Sequence, residues 1–394
     1  MNEHAGDDRA GGAGGGERRG DRPEPNENGS APVFALQRRE RLMDELRAHG
    51  SVAVREIALV LNVSELTIRR DINTLAQQGL VTRVHGGATL RSSIEPNLAS
   101  TVVGAGVTRY TLGMVVPSLD YYWPQIINGA RAAATQAQSR LLLRGSTYDV
   151  RDNRKQVQAL VNTPGVHGII AAPDTAGEAG RDLLRWLDGL SVPVVLAERR
   201  APESVPVQRL ESVATDHAYG ARLAVRHLHG AGHERIGLLA EPHSPTTAQV
   251  RRGWQEAIET LGLPADVVNT DAVSFNSKDR EKVMDEIIAQ CTATGTTALV
   301  ILSDPQAVAF EQHCLDRGIR VPDDLAIVAY DDEVAHLGDP AVTAVRPPKQ
   351  YVGREAVELL VARLESGRRR PIHRIELNPE LIVRESSIKD AQGE

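Results

Sequence analysis

Thr67, Arg69, Arg70 and Asn73 fall on one face of a helical pattern over residues 65–77. An arginine fork donates to guanine edges or phosphates, a threonine methyl meets thymine, and an asparagine amide pairs with adenine. Ile68, Ile72 and Leu75 recur at i, i+4 and i+7 on the opposite side, where a core would lie. A second group stands just after short apolar runs further along the chain: Ser118, Asp120, Tyr121, Tyr122 and Trp123; Glu198, Arg199 and Arg200; Ser303 and Asp304; Asp331 and Asp332. Aromatic residues make up only 3% of the chain, so three in succession are unusual. Aromatic faces stack on sugar rings and carboxylates accept hydrogen bonds from vicinal hydroxyls. The combination suggests a small polyhydroxylated ligand. Acids after strands also cap the next helix, as Asp216 or Asp304 could; several strand ends converging on one crevice make binding the better account.

The first group needs a helix held against DNA, and the flanking sequence supplies the parts. Leu42 and Leu46 lie on one face of a helix that Gly50 ends, and Val52 and Val54 alternate as in a short strand. A helix over 55–61 buries Ile57, Ala58 and Leu61, Asn62 makes the tight turn, and Ser64 is placed to cap the helix over 65–77. Residues 80–88 then read as a β-wing closed by Gly86 and Gly87, with Arg83 and His85 placed for the DNA backbone or minor groove. An Arg-Arg pair on a helix is ordinarily just solvated; the full order of parts argues otherwise. That order resembles the signature of the deoxyribonucleoside-repressor (DeoR) family of winged helix-turn-helix regulators. Arg38, Leu42 and Leu46 precede Ser64, Thr67, Ile68, Arg69, Arg70, Asp71 and Ile72 at the family's intervals, and the RVHGGA wing is equally typical. The resemblance implies DNA binding. Asp71, among the arginines, fits an ion pair or a helix-orienting contact better than base readout.

The formal charge of −7 is unevenly spread. Residues 1–33 carry seven acids against four bases, whereas 36–90 carry eight arginines against six acids. The positive balance is confined to the helix-turn-helix, as an electrostatic footprint should be. Only Cys291 and Cys314 are present, far apart and without metal-ligand spacing, consistent with a reducing cytoplasm. No stretch approaches the roughly 20 apolar residues of a membrane span, and the amino terminus lacks an apolar signal core. Residues 1–33 and 389–394 are expected to be disordered tails.

After an aperiodic linker over 91–109, short apolar strands alternate with helices. Strands are expected at 111–116, 140–144, 168–172, 192–197, 235–240, 298–302 and 326–330. Helices are expected at 125–137, 153–161, 180–187, 217–229, 251–261, 306–317 and 353–367. Such alternation means parallel sheets covered on both faces, with ligands beyond the carboxyl ends of the strands. The region from Tyr110 to Ser387 resembles the effector domain of the lactose-repressor (LacI) family. Its landmarks are LGMVVPSLD, VHGII from Val166, PVVL from Pro193, Thr215-Asp216, GHERI from Gly232, Ser303-Asp304, YDD from Tyr330 and PAVT from Pro340.

The resemblance implies a two-lobed, periplasmic-binding-protein-like α/β domain over 110–388, following a small α/β winged helix-turn-helix over 34–90. By position it carries ligand contacts onto Tyr122, Trp123, Glu198, Ser303, Asp304 and Asp331, with Asp120 beside them. Two departures matter. The arginine usual before the Gly-aromatic pair is Val250 here, leaving Arg251 and Arg252 closer to Gly253-Trp254, with Arg251 expected as the ligand contact. Pro347 and Lys349 also stand where members often place polar and aromatic contacts. Identity of the ligand is therefore not transferable. The family's own headpiece and hinge helix are absent.

Together these features predict a cytoplasmic, ligand-responsive transcriptional regulator, a repressor of sugar uptake or utilisation that binds operator DNA as a homodimer without a cofactor or metal. Two alternatives stay open: a corepressor-dependent regulator sensing a nucleoside or other metabolite, and a sugar-binding protein with residual enzymatic activity. No GxSxG elbow, Walker loop, HExxH or dinucleotide GxGxxG occurs in the required setting, and no catalytic residue is assigned. A free solute-binding protein is disfavoured by the missing export signal and by the DNA-reading module.

Overall fold

The structure, a computed structural model, describes residues 38–39, 41–43, 45–46, 51–61, 63–77, 81–84, 87–90, 108–242, 244–272, 277 and 279–388. Expectations for the tails 1–33 and 389–394, for 91–107 of the linker, and for Gly50, Asn62, His85 and Gly86 lie outside those residues. The chain divides into two compact units, Met1–Leu90 and Arg91–Glu394.

In the first unit the described residues between 38 and 46 are helical, and Leu42, Met43 and Leu46 are fully buried. Strand β1 (Ser51–Ala53) runs directly into helix α1 (Val54–Val60), and helix α2 (Glu65–Gln77) follows a turn. Val54 alternates with Val52 but also stands three residues before Ile57. The helical phase wins, and Val54 is buried at the start of α1. Strands β2 (Val81–Val84) and β3 (Gly87–Leu90) pair antiparallel, and β1 joins the far edge of β3 with Ser51 opposite Thr89. The wing is thus part of a three-stranded sheet. Ile57, Ile68, Ile72, Leu75 and Val81 are buried with the first-helix leucines.

The second unit has two α/β lobes. The first holds strands β4 (Tyr110–Val116), β5 (Ser139–Gly145), β6 (Val166–Ala171), β7 (Val194–Ala197) and β8 (Glu211–Thr215), with helices α3 (Trp123–Gln136), α4 (Val150–Val161) and α5 (Gly177–Asp188). The chain then crosses into α6 (His217–Gly230), β9 (Ile236–Ala240), α7 (Thr247–Leu261), β10 (Asn269–Asp271), α8 (Arg280–Thr294), β11 (Ala298–Ile301), α9 (Asp304–Asp316), β12 (Ala326–Tyr330) and β13 (Thr343–Arg346). It returns to the first lobe as α10 (Lys349–Ser366) and β14 (Arg374–Leu377), and crosses again to β15 (Glu380–Ile382). The first sheet has the order β14-β8-β7-β6-β4-β5 and is parallel throughout. The second has the order β10-β9-β11-β12-β13-β15, with only β15 antiparallel. Helix α10 belongs to the core of the first lobe through Val352, Ala356 and Val357, while α6 belongs to the second through Ala221, Ala224 and Val225. Three crossings between 215 and 380 therefore tie the lobes together.

Several helices begin two to four residues earlier than their apolar periodicity suggests: α3 at Trp123, α4 at Val150, α7 at Thr247, α10 at Lys349; α6 begins at His217, as expected. For α4 the cause is a cap, since the Asp149 side chain accepts from the Arg151 and Asp152 amides ahead of the first apolar repeat. Strand β8 escapes a hydrophobic pattern because it opens on Glu211. That carboxylate is buried yet neutralised by Arg363, which donates to both its oxygens at 3.0 and 2.9 Å, and by Arg370 at 3.4 Å.

Candidate functional site

The carboxyl ends of β4, β7, β9, β11 and β12 open onto one cleft of about 300 Å³ between the lobes. Tyr121, Tyr122, Trp123, Tyr148, Glu198 and Arg199 line it from the first lobe; His217, Glu241, Ser303 and Asp331 line it from the second. Four non-glycine residues around it have positive φ: Tyr121 (55°), Glu198 (56°), Asp331 (92°) and Asp332 (52°). Such backbone is held only where surrounding contacts over-determine it, and it clusters at binding sites.

Two hydrogen-bond networks organise the cleft. In the first, Glu198 Oε1 accepts from the Tyr122 hydroxyl at 2.9 Å and from Thr215 Oγ1 at 2.8 Å. Its Oε2 accepts from the Thr215 amide at 3.1 Å and faces His217 Nε2 at 3.5 Å. Burial alone would raise this carboxyl, but His217 and Thr215 outweigh it and hold Glu198 at about 2. Glu198 is therefore ionised and occupied, orienting the Tyr122 ring across the cleft. In the second network the Tyr121 hydroxyl crosses the lobes to donate to Asp304 Oδ1, and it lies 3.2 Å from Asp331 Oδ2. The other Asp304 oxygen accepts from the amides of Glu333, Val334 and Ala335 at 2.6, 2.6 and 3.0 Å. Burial raises Asp331 to about 7 and Asp304 to about 6.

Cations at the cleft are tied to protein acceptors. Arg199 donates to Pro173 O at 3.0 Å and to Glu198 O at 2.7 Å, and stands 5.6 Å from the Trp123 ring centroid. Buried Lys349 pairs with Glu333 at 2.5 Å, donates to Asp331 O and lies 5.1 Å from the Tyr122 ring centroid. The lining thus combines aromatic faces with carboxylate acceptors, suited to a neutral ligand rich in hydroxyl groups.

Of the residues the sequence singled out, Tyr122, Trp123, Glu198, Ser303 and Asp331 line the cleft. Asp304 is fully buried behind it and reaches it through Tyr121. Asp120 lies in the same loop, its amide bonded to Ser118 Oγ at 3.1 Å, outside the lining. Arg251 stands elsewhere, against Asn269 and against Asp271 at 3.3 Å. Val250 and Trp254 take the inward positions of α7, so residue 251 is turned about 100° away from the core. His217 and Glu241 were not evident in the sequence. Glu241 directly follows the buried run of β9, and its strand-end position was the available signal; His217 follows β8, the strand that its leading acid disguises.

The first unit carries the second candidate surface. Arg69, Arg70 and Asn73 are exposed on α2, and Thr67 is half-buried. The Thr67 amide donates to Ser64 Oγ at 3.2 Å, and the two hydroxyls are 2.8 Å apart, so Ser64 caps the helix. Arg69 lies 3.5 Å from Glu65, an exposed and weak pairing. Asp71 is buried and accepts from Arg38 Nε and Nη2 at 2.5 and 3.2 Å, an ion pair joining the first helix to α2. Arg83 sits on β2 opposite Ala88. Among the described residues no helix is long and apolar enough to cross a membrane.

Residues 38–94 match the model of the DeoR-like helix-turn-helix domain, and residues 225–387 match that of the periplasmic binding protein-like domain. The chain is 26% identical over 341 residues to the arabinose metabolism transcriptional repressor of Geobacillus stearothermophilus, covering 84% of this chain and 90% of the relative. It is also 26% identical over 342 residues to the transcriptional regulator GalR of Escherichia coli, covering 84% and 95%. The solved complex of the transcriptional regulator CelR with cellobiose has a similar fold, with a TM-score of 0.59, 24% identity and coverage of 84% and 94%.

Proposed function

We propose that this chain, which joins a DeoR-type winged helix-turn-helix to a LacI-type two-lobed sensor, is a repressor of sugar uptake or utilisation genes released from operator DNA by a small sugar. The observation that carries this is the cleft, where Tyr122 and Trp123 meet Asp331 and Ser303 from the other lobe in a chain that also presents a DNA-reading helix. The arabinose repressor and the cellobiose complex among its relatives favour a sugar. Tyr122 and Trp123 stack on the ring, Asp331 and Ser303 take its hydroxyls, and Glu198 and Asp304 hold these groups in place. Thr67, Arg69, Arg70 and Asn73 read or grip the operator, Ser64 fixes the helix, and Arg83 and His85 serve the wing. One helix-turn-helix reads few base pairs, so the working form is a homodimer on a repeated half-site. The protein acts in the cytoplasm, where its DNA is, and leaves the sugar chemically unchanged.

A thermal-shift screen against mono- and disaccharides tests the sensor. A ligand at a hundred times its Kd stabilises by about 2.7 kcal/mol, and a domain of this size gains roughly 2–4 °C per kcal/mol. One sugar giving such a shift, and releasing the protein from its selected operator, supports the reading. A flat response to sugars overturns the sugar assignment. Operator binding that the stabilising sugar tightens would make the ligand a corepressor.

A further inference from the structure

Leu66 is the second residue of α2 and is 61% exposed. A single exposed leucine is ordinary on a protein surface; its place on the helix is what distinguishes this one. The buried residues of α2, Ile68, Asp71, Ile72 and Leu75, define its inward direction. At about 100° per residue, the line opposite them passes through positions 66, 70 and 73, spaced by four and three. Leu66, Arg70 and Asn73 are each exposed on that line, whereas Thr67 and Thr74 are only half-exposed to one side of it. Arg69 lies to the other side, next to Glu65. The outermost stripe of the helix is therefore apolar at its amino-terminal end and polar beyond.

Recognition helices of this class present their amino-terminal residues to base edges in the major groove. The thymine 5-methyl is the apolar group on those edges, and apolar side chains read it. The exposed aliphatics of the other described helix of the motif, Leu59 and Val60, stand in the last turn of α1, away from a helix amino-terminal end. The geometry points to Leu66 as a specificity-determining residue that contacts a thymine methyl beside the base pair read by Arg70. This assignment rests on the DNA-binding role proposed above and deepens it.

The test uses the full-length chain and the duplex it selects from a random-sequence pool. Each thymine of the half-site is replaced singly by 2′-deoxyuridine, which removes only the methyl group, and Kd is measured for the unaltered protein, Leu66→Ala and Leu66→Met. At one position uridine should weaken the unaltered protein by about three- to ten-fold, the size expected for one buried methyl contact. Leu66→Ala should weaken the thymine duplex by a similar factor and be indifferent to uridine there; Leu66→Met should stay sensitive. Loss of affinity in Leu66→Ala that is equal for every duplex, or no loss at all, overturns the assignment while leaving DNA binding intact. An unaltered protein that selects no duplex overturns both. Circular dichroism of Leu66→Ala should match the unaltered chain, since the side chain packs against no core.

Discussion

Asp331 and Glu198 line one cleft and Asp304 lies buried behind it, yet burial and partners drive their protonation in opposite directions. Burial raises Asp331, with Asp304 and Glu333 adding to the rise and Lys349 and Tyr121 opposing it. Burial likewise raises Asp304, against the Tyr121 hydroxyl, the Val334 and Glu333 amides and Lys349. A carboxyl raised on folding binds more protons folded than unfolded. Its stabilising contribution is full below about 4 and is lost as pH rises through about 6 for Asp304 and about 7 for Asp331. Asp331→Asn should therefore flatten the decline in melting temperature between pH 5.5 and 8. Sugar binding should run the other way, because a hydroxyl donating to Asp331 needs the carboxylate. Affinity should rise with pH through about 7 and lose that slope in Asp331→Asn, as calorimetry at several pH values would show. Glu198 has the opposite sign. Its pKa is depressed to about 2, so its contribution is present above about 4.5 and is lost as pH falls toward 2. Glu198→Gln turns an amide NH₂ toward donors at Thr215 or His217. It should cost about 2–4 kcal/mol, read as a melting temperature roughly 5–15 °C lower at pH 7.

Helix α10 shows how an element outside the cleft lining governs the cleft. It begins at Lys349, whose ammonium holds Glu333 and the Asp331 carbonyl, and then packs closely along α3, which begins at Trp123. The approach depends on glycine at both contacts: a Cβ on Gly353 would overlap the Ile126 carbonyl, and one on Gly129 would overlap that of Gln350. Gly353→Ala should push the helices apart, destabilise the sensor by about 1–3 kcal/mol and weaken sugar binding, although residue 353 is outside the cleft lining. Unchanged melting and affinity would show that the helices can yield. Sequence periodicity made the βα order legible because buried parallel strands are nearly continuous apolar runs, and the strand-end rule placed Tyr122, Trp123, Glu198, Ser303 and Asp331 at one cleft. It did not reveal β8, whose acid is neutralised by arginines distant in sequence, nor β10, β13, β14 and β15, which are short or at an edge. Arg251 is kept out of the cleft lining by helical phase, which the burial of Val250 and Trp254 sets and strand-end position does not reveal. The double role of Tyr121, stacking type by composition but inter-lobe donor by geometry, depends on acceptors at 304 and 331 that only the folded chain brings to it.

At the scale of the molecule, the ligand acts only through bonds that differ between lobe arrangements. The lobes are bridged by Tyr121 to Asp304 and Asp331, and by Gln125 Nε2 donating to Glu333 Oε1 at 2.8 Å. A sugar that takes Asp331 competes with the Tyr121 hydroxyl while adding contacts of its own to both lobes. Its effect on the operator is bounded by its differential affinity for the two arrangements. The coupling is reciprocal: if saturating sugar lowers operator affinity by some factor, saturating operator must lower sugar affinity by the same factor, typically about 5–150-fold. Both should be measured on the full-length chain, whose light-scattering mass is expected to be that of a dimer. Tyr121→Phe removes the phenol donor from the acid pair while keeping the ring. It should strengthen sugar binding by freeing Asp331, and change both coupling factors by equal amounts. Equal factors that both move in Tyr121→Phe would place the inter-lobe phenol in the path between cleft and DNA. Equal factors that the substitution leaves untouched would confine Tyr121 to local packing and leave the three crossings between the lobes as the carriers of the signal.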